Sequence, residues 1–201
     1  DHSVSYPLTK TYLQAKKKQG KRTGIIHFDA HTDLLVERLG IDLCFGSWCT
    51  HILDDLPAPE HLIQVGIRSS GKPKSHWEST FGVKQHWANE VKELGVEKVI
   101  DNILAQLAEQ NIDELYVSFD IDAIDDSFAS ATGTPEPDGL MPEEAMAILR
   151  SIAAKYPITG ADMMEIAPFT DSSGQGEVSR DKTLKVAGEI SAFLINEMSE
   201  K

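Results

Sequence analysis

Residues 25–35 read IIHFDAHTDLL, an apolar run that stops on Asp29, His31 and Asp33. Successive side chains of a β-strand point to opposite faces, so residues spaced two apart share one side, with neighbours roughly 6–7 Å apart. Read as a strand end, the segment brings carboxylate, imidazole and carboxylate to one point. Unpaired, such a set is costly to bury, whereas a divalent cation of intermediate hardness is suited by it.

Residues 116–140, YVSFDIDAIDDSFASATGTPEPDGL, again drive an apolar strand into acids, here Asp120 and Asp122 at i and i+2. Ligands of an open parallel sheet collect at the carboxyl ends of its strands, and both acidic clusters fall there if 23–28 and 114–121 are neighbours. Four carboxylates and one imidazole then converge without help from any loop. This hard, oxygen-rich set suits manganese, magnesium or iron better than a thiolate-seeking metal. Two cations sharing carboxylates, roughly 3.5–4 Å apart, account for so many acids and would activate a bridging water. A salt-bridged strand cap explains the first cluster alone about equally well. It explains both together poorly, because four buried carboxylates without a cation repel one another.

Apolar runs at 23–28, 61–67, 114–121 and 158–166 predict strands buried on both faces. Helical patterns fall between them at 4–19, 89–110, 142–156 and 181–198, and Pro142 followed by Glu143 and Glu144 marks a helix start. Alternation of the two implies βαβ units and a parallel sheet. The remaining long stretches, 34–60 and 123–140, are read as loops beside strand ends, where function tends to lie.

At 201 residues, 41% hydrophobic and 25% charged, the chain fits one globular domain spanning 1–201. Its formal net charge of −13 argues against nucleic acid or an anionic membrane surface as a partner and weakly favours a cationic small substrate. Cys44 and Cys49 make neither a disulfide framework nor a C-x-x-C pair, which fits a reducing cytoplasm. No apolar run approaches the ~20 residues of a membrane span. The opening Asp-His-Ser suggests that an N-terminal portion is absent.

The blocks FDAHTD (28–33), SFDIDAID (118–125) and ATGTPEPDGL (131–140), with DHS at 1–3, resemble in order the signature blocks of the ureohydrolases, the arginase and agmatinase superfamily. The resemblance implies a three-layer α/β/α fold with a parallel sheet of about eight strands. It implies two manganese ions per chain, one held by His2, Asp29, Asp33 and Asp120, the other by Asp29, His31, Asp120 and Asp122, with Asp29 and Asp120 bridging. A hydroxide between the metals would attack a guanidino carbon. Asp122 and Glu165, in DMMEIAP, would accept hydrogen bonds from the nucleophile or the guanidinium, and Thr134 matches a substrate-side position. The family commonly forms homotrimers or hexamers.

Two departures bear on activity. Many members carry a His-Gly pair after the Asp-Ala-His-x-Asp block, the histidine serving as proton shuttle, and the matching pair here is Phe45-Gly46. A phenyl ring transfers no proton, so His51 is the catalytic candidate in its place, an ordinary loop histidine being the plainer reading. Arginases also place an acid after Gly-x-Arg to hold the α-amino group of arginine, where this chain has Ser69. The expected activity is therefore hydrolysis of a linear guanidino compound such as agmatine. Alternatives are a guanidino acid or a formimino substrate on the same site, or a weakly active metal-binding homologue serving as a partner subunit.

Overall fold

The structure is a computed structural model that describes residues 1–170 and 176–199, so the expected domain span of 1–201 includes positions outside it. The helices are α1 (Ser5–Lys18), α2 (Trp48–Ile52), α3 (Lys74–Phe81), α4 (Ala88–Leu94), α5 (Val96–Glu109), α6 (Pro142–Ala153) and α7 (Glu177–Ser199). The strands are β1 (Thr23–Phe28), β2 (Leu62–Ile67), β3 (Lys84–Trp87), β4 (Glu114–Asp120) and β5 (Ile158–Met164). All pairings are parallel, in the order β3-β2-β1-β4-β5.

That order positions the site. From β1 the chain winds outward through β2 and β3, then returns to the other side of β1 for β4 and β5. The direction of winding reverses between β1 and β4, and the two connections leave the carboxyl ends of these strands in opposite directions. Such a reversal opens a crevice in a parallel sheet.

Every residue of β1, β2 and β4 is buried, and their side chains divide by alternation. On one face Ile26, Phe28, Ile63, Val65, Leu115, Val117 and Phe119 pack against α4 to α7, through residues such as Ile103, Ile148 and Ile190. On the other, Ile25, Leu62 and Tyr116 meet Leu13 of α1, Trp48 and Ile52 of α2, and Trp77 of α3. The result is three layers, α/β/α. Each such large apolar side chain contributes about 1.5–3 kcal/mol on burial, and Phe28 stacks on Phe119 across β1 and β4 at 4.7 Å.

The sequence expectation differs from the structure at three places. Strand β3 went unread because KQHW has no apolar run; it is a short edge strand with its ends only half buried. The helix expected over 89–110 is two helices, broken where Gly95 adopts φ 85°. The stretch 34–60 contains α2, which is too short to show helical periodicity.

Candidate metal centre

Strand β1 ends at Phe28, so the acids do not converge by strand alternation. The Asp29 N–H still donates to the Val65 carbonyl at 3.1 Å, after which the chain turns back. Asp33 sits at φ 51°, and its carboxylate accepts the Trp48 indole N–H at 2.8 Å. Asp120 closes β4, and Asp122 follows on a 3₁₀ turn over Ile121–Ala123, its N–H donating to Asp120 Oδ1 at 2.9 Å. The expectation that no loop is needed is thus corrected. Two tight turns, each tied to the first acid of its pair, aim the second acid back at the crevice.

The four carboxylates are buried, at 1–6% exposure. His2 Nδ1 lies 3.0 Å from Asp120 Oδ2, 3.2 Å from Asp29 Oδ2 and 3.4 Å from Asp33 Oδ2. His31 Nδ1 lies 3.1 Å from Asp122 Oδ2 and 3.3 Å from Asp29 Oδ1. Donor atoms of His2, His27, Asp29 and Asp33 fall within one cluster and those of Asp29, His31 and Asp122 within another, and Asp29 belongs to both.

Whether these residues fit a cation is decided at His2. Its Nε2 lies 2.9 Å from Ser118 Oγ, which donates its only proton to Asp162 Oδ1 at 2.8 Å. In the neutral ring Nε2 is therefore the protonated nitrogen, and Nδ1 is left with a lone pair. That Nδ1 is buried and has no hydrogen-bond partner, although three carboxylate oxygens surround it. A bare nitrogen facing three anions needs either a proton or a cation between them, and the donor set of imidazole and carboxylates suits manganese.

Charge in the ion-free protein follows the same logic. Burial and the neighbouring acids push the Asp33 and Asp120 carboxyls well up, and burial with Asp29 raises Asp122. Burial would also raise Asp29, but the neighbouring His2 and His27 imidazoles outweigh it and hold its carboxyl well down. Against the effect of burial, Asp122 and Asp29 push the His31 imidazole up to about 11. Protons thus occupy seats that cations would take.

His27 is the residue that sequence reasoning missed here. Its Nε2 is 2.8 Å from Asp29 Oδ2 and its Nδ1 is 2.9 Å from the Gln64 amide nitrogen. Gln64 accepts from Gln85, which accepts from the Trp87 indole, at 2.8 and 2.9 Å. A buried chain of donors thus crosses three strands and ends on the shared carboxylate. With both nitrogens engaged, His27 supports a ligand rather than serving as one. The signal was present as polar residues inside otherwise apolar strands: His27, Gln64 and Ser118.

Glu165 follows β5 at φ 60°, and its Oε1 accepts the His2 backbone N–H at 2.8 Å. Thr134 Oγ1 donates to Asp122 Oδ2 at 3.1 Å. Both line a cavity of about 440 Å³ that also borders His2, Asp29, His31, Asp33, Asp120 and Asp122. Ser69 and Phe45 line it too. Ser69 Oγ donates to Glu136 of the TPEP loop at 2.8 Å, and Glu136 lies 3.5 Å from His31 Nε2. That loop is strapped down by Arg68, which donates to the carbonyls of Asp122, Glu136 and Pro137 at 2.7–2.8 Å. Gly139 is obligatory there, since a Cβ would sit 2.5 Å from the Asp125 nitrogen.

His51, the candidate proton donor, does not line the cavity. Its Nε2 lies 2.9 Å from the Asp42 carbonyl and its ring packs on Tyr6, which places it as a brace of the 34–47 loop. Among the described residues no helix is long and apolar enough to cross a membrane.

Curated relatives match most of the chain. The chain is 36% identical to proclavaminate amidinohydrolase of Streptomyces clavuligerus over 177 residues, covering 87% of this chain and 54% of that protein. It is 34% identical to the mitochondrial agmatinase of Gallus gallus over 183 residues, covering 87% and 50% respectively. A crystal structure described as a hypothetical agmatinase from Burkholderia thailandensis superposes with a TM-score of 0.74 at 31% identity, over all of this chain and 59% of the other. The chain spans about half the length of the curated relatives it matches. Residues 1–194 match the Arginase family model, so with its sheet order, its paired acidic turns and its shared Asp29, the chain belongs to the arginase family.

Proposed function

We propose that this chain carries the metal centre of a hydrolase that cleaves a C–N bond of a linear guanidino compound, releasing urea and an amine. One observation carries the reading: His2 Nδ1, buried and without a hydrogen-bond partner, faces three carboxylates, one of which, Asp29, is shared with a second cluster. Two divalent ions held there, manganese by the character of the donors, would supply a water acidified enough to act as a nucleophile near neutral pH. His2, Asp29, Asp33 and Asp120 would hold one ion, and Asp29, His31, Asp120 and Asp122 the other.

The chain's own residues supply orientation. Glu165, fixed by the His2 N–H, presents a carboxylate across the cavity from the acidic turns, and a planar guanidinium fits such an acceptor through its forked N–H groups. Thr134 fixes Asp122 Oδ2, the acceptor placed to take a proton from the attacking water. Trp48 and Leu34 wall off the buried side of the centre from bulk water. Ser69 is engaged with Glu136 and offers no charge to an α-ammonium group, which disfavours arginine itself.

The test is urea release from a panel of guanidino compounds by manganese-loaded protein, with formamide release from formimino compounds in parallel. Turnover of a guanidino compound that disappears on chelation and returns with manganese is the expected result. No product above the metal-free background from any compound would leave a metal-binding subunit as the better reading.

A further inference from the structure

We propose that Arg38 selects substrates whose far end, opposite the guanidino group, is a carboxylate. This inference rests on the hydrolase reading and names the substrate class of that site. Arg38 is the only lysine or arginine among the described residues lining the cavity, whose wall is otherwise rich in acids. Its backbone is fixed by a two-residue hairpin. Arg38 N–H donates to the Ile41 carbonyl and Ile41 N–H to the Arg38 carbonyl, both at 3.0 Å, with Leu39 at φ 54° and Gly40 at φ 78° between them. Positive φ at both central residues is the type I′ geometry of tight hairpins.

The side chain is held as well. The Arg38 guanidinium lies 4.6 Å from the centroid of the Phe45 ring, which also lines the cavity. A guanidinium resting on a ring keeps its N–H edge for a planar acceptor, and a carboxylate matches that edge through two parallel bonds. Among the described residues no carboxylate lies within ion-pair distance of Arg38, so its charge is not spent on the protein. The position at which the family pattern has a histidine therefore holds the platform for a cation.

Charge then sorts the possible tails. The guanidino end goes to Glu165 and the acidic turns, leaving the tail to extend toward the rim. A tail ammonium would meet the Arg38 cation there, whereas a tail carboxylate would form a charge-assisted pair with it.

Two probes of closely similar length separate these cases: agmatine, which ends in an ammonium, and 4-guanidinobutanoate, which ends in a carboxylate. Their kcat/KM for urea release and their dissociation constants by calorimetry are measured on the manganese-loaded protein and on R38M, R38K and R38E. The carboxylate probe is expected to be favoured by about 10–100-fold, the range of one charge-assisted hydrogen bond. R38M should erase most of that preference and R38E reverse it, both through KM and the dissociation constant with kcat little changed. R38K should retain part of it, lacking the fork. Equal or tighter binding of agmatine, or a ratio unmoved by R38E, would overturn the proposal. Failure to release urea from either probe, with the Arg38-dependent binding ratio intact, would instead count against the hydrolase reading and uphold the recognition.

Discussion

The floor of the cavity and its rim are built in opposite ways. On the floor, Asp29 follows one central strand and Asp120 ends its neighbour; both are buried and receive hydrogen bonds from the turn that follows each of them. At the rim, Val36, Leu39 and Ile41 are exposed, and the segment is held by one hairpin, a backbone bond from Leu35 to Gly46 and the bracing of Asp42 by Ser47 and His51. Burying four carboxylates is costly without cations to pair them, so the floor tolerates little variation. Exposed loop residues carry almost no such cost and can be exchanged. In the proposed enzyme, reaction class belongs to the floor and choice of substrate to the rim.

The largest expected effect comes from breaking the floor at Asp120, the carboxylate proposed to bridge the two ions. Asp120→Asn should weaken binding of both ions, by more than the ~10–100-fold that loss of a ligand's hydrogen-bond partner costs, whereas Asp33→Asn should chiefly affect one. Thermal stability should fall in step, because ions bound by the native state alone stabilise it by mass action. Manganese titrations with thermal melts at fixed ion concentration check this. Equal, independent loss of a single ion in both variants would contradict the bridging role.

A smaller effect separates the ligands from what holds them. His27→Leu removes the donor to Asp29 and strands the Gln64 amide, so manganese affinity should drop by about 10–100-fold with stoichiometry unchanged. His27→Gln places an amide donor near the same point and should recover part of that loss. Calorimetric titration of the purified variants measures both, without reference to turnover. Unaltered affinity in His27→Leu would make the chain through Gln64, Gln85 and Trp87 a packing feature of the sheet alone.

Much of the floor was legible in the sequence and little of the rim. The acids were readable because carboxylates gathered at the ends of apolar runs are costly to bury unless a cation pairs them, and the parallel sheet followed from the alternation of strands and helices. How those acids converge was not readable. Strand alternation suggested one face, but the chain uses turns with Asp33 at φ 51° and a 3₁₀ step at Asp122, which periodicity does not encode. Strand β3 escaped because an edge strand needs no apolar run. Arg38 and Phe45 lie ten residues or more past β1 in a stretch without periodic pattern, and only the fold reveals that one rests on the other. His51 looked like a proton donor by type and proximity in sequence, yet its ring is committed to Asp42 and Tyr6.

The smallest expected effects lie at the rim, and Phe45 divides the two regions most sharply. Phe45→Ala takes the ring from beneath Arg38 without touching any ligand of the centre. An exposed cation–π contact contributes about 0.5–1 kcal/mol, so the preference for a carboxylate tail should fall by about 2–5-fold, carried by KM. Phe45→His restores the side chain of the family pattern at the cost of a poorer platform for the cation. Its kcat should rise, and its pH–rate profile should acquire an inflection near the ~6.5 of an ordinary imidazole, absent from the parent chain. His51→Ala, by contrast, should leave kcat unchanged and lower only the melting temperature, since its work is to hold Asp42. Steady-state rates on the two guanidino probes across pH decide among these outcomes. A loss of ~10²-fold or more in kcat for His51→Ala, the scale of a lost general acid, would return the proton transfer to His51 and join rim to floor in the chemistry itself.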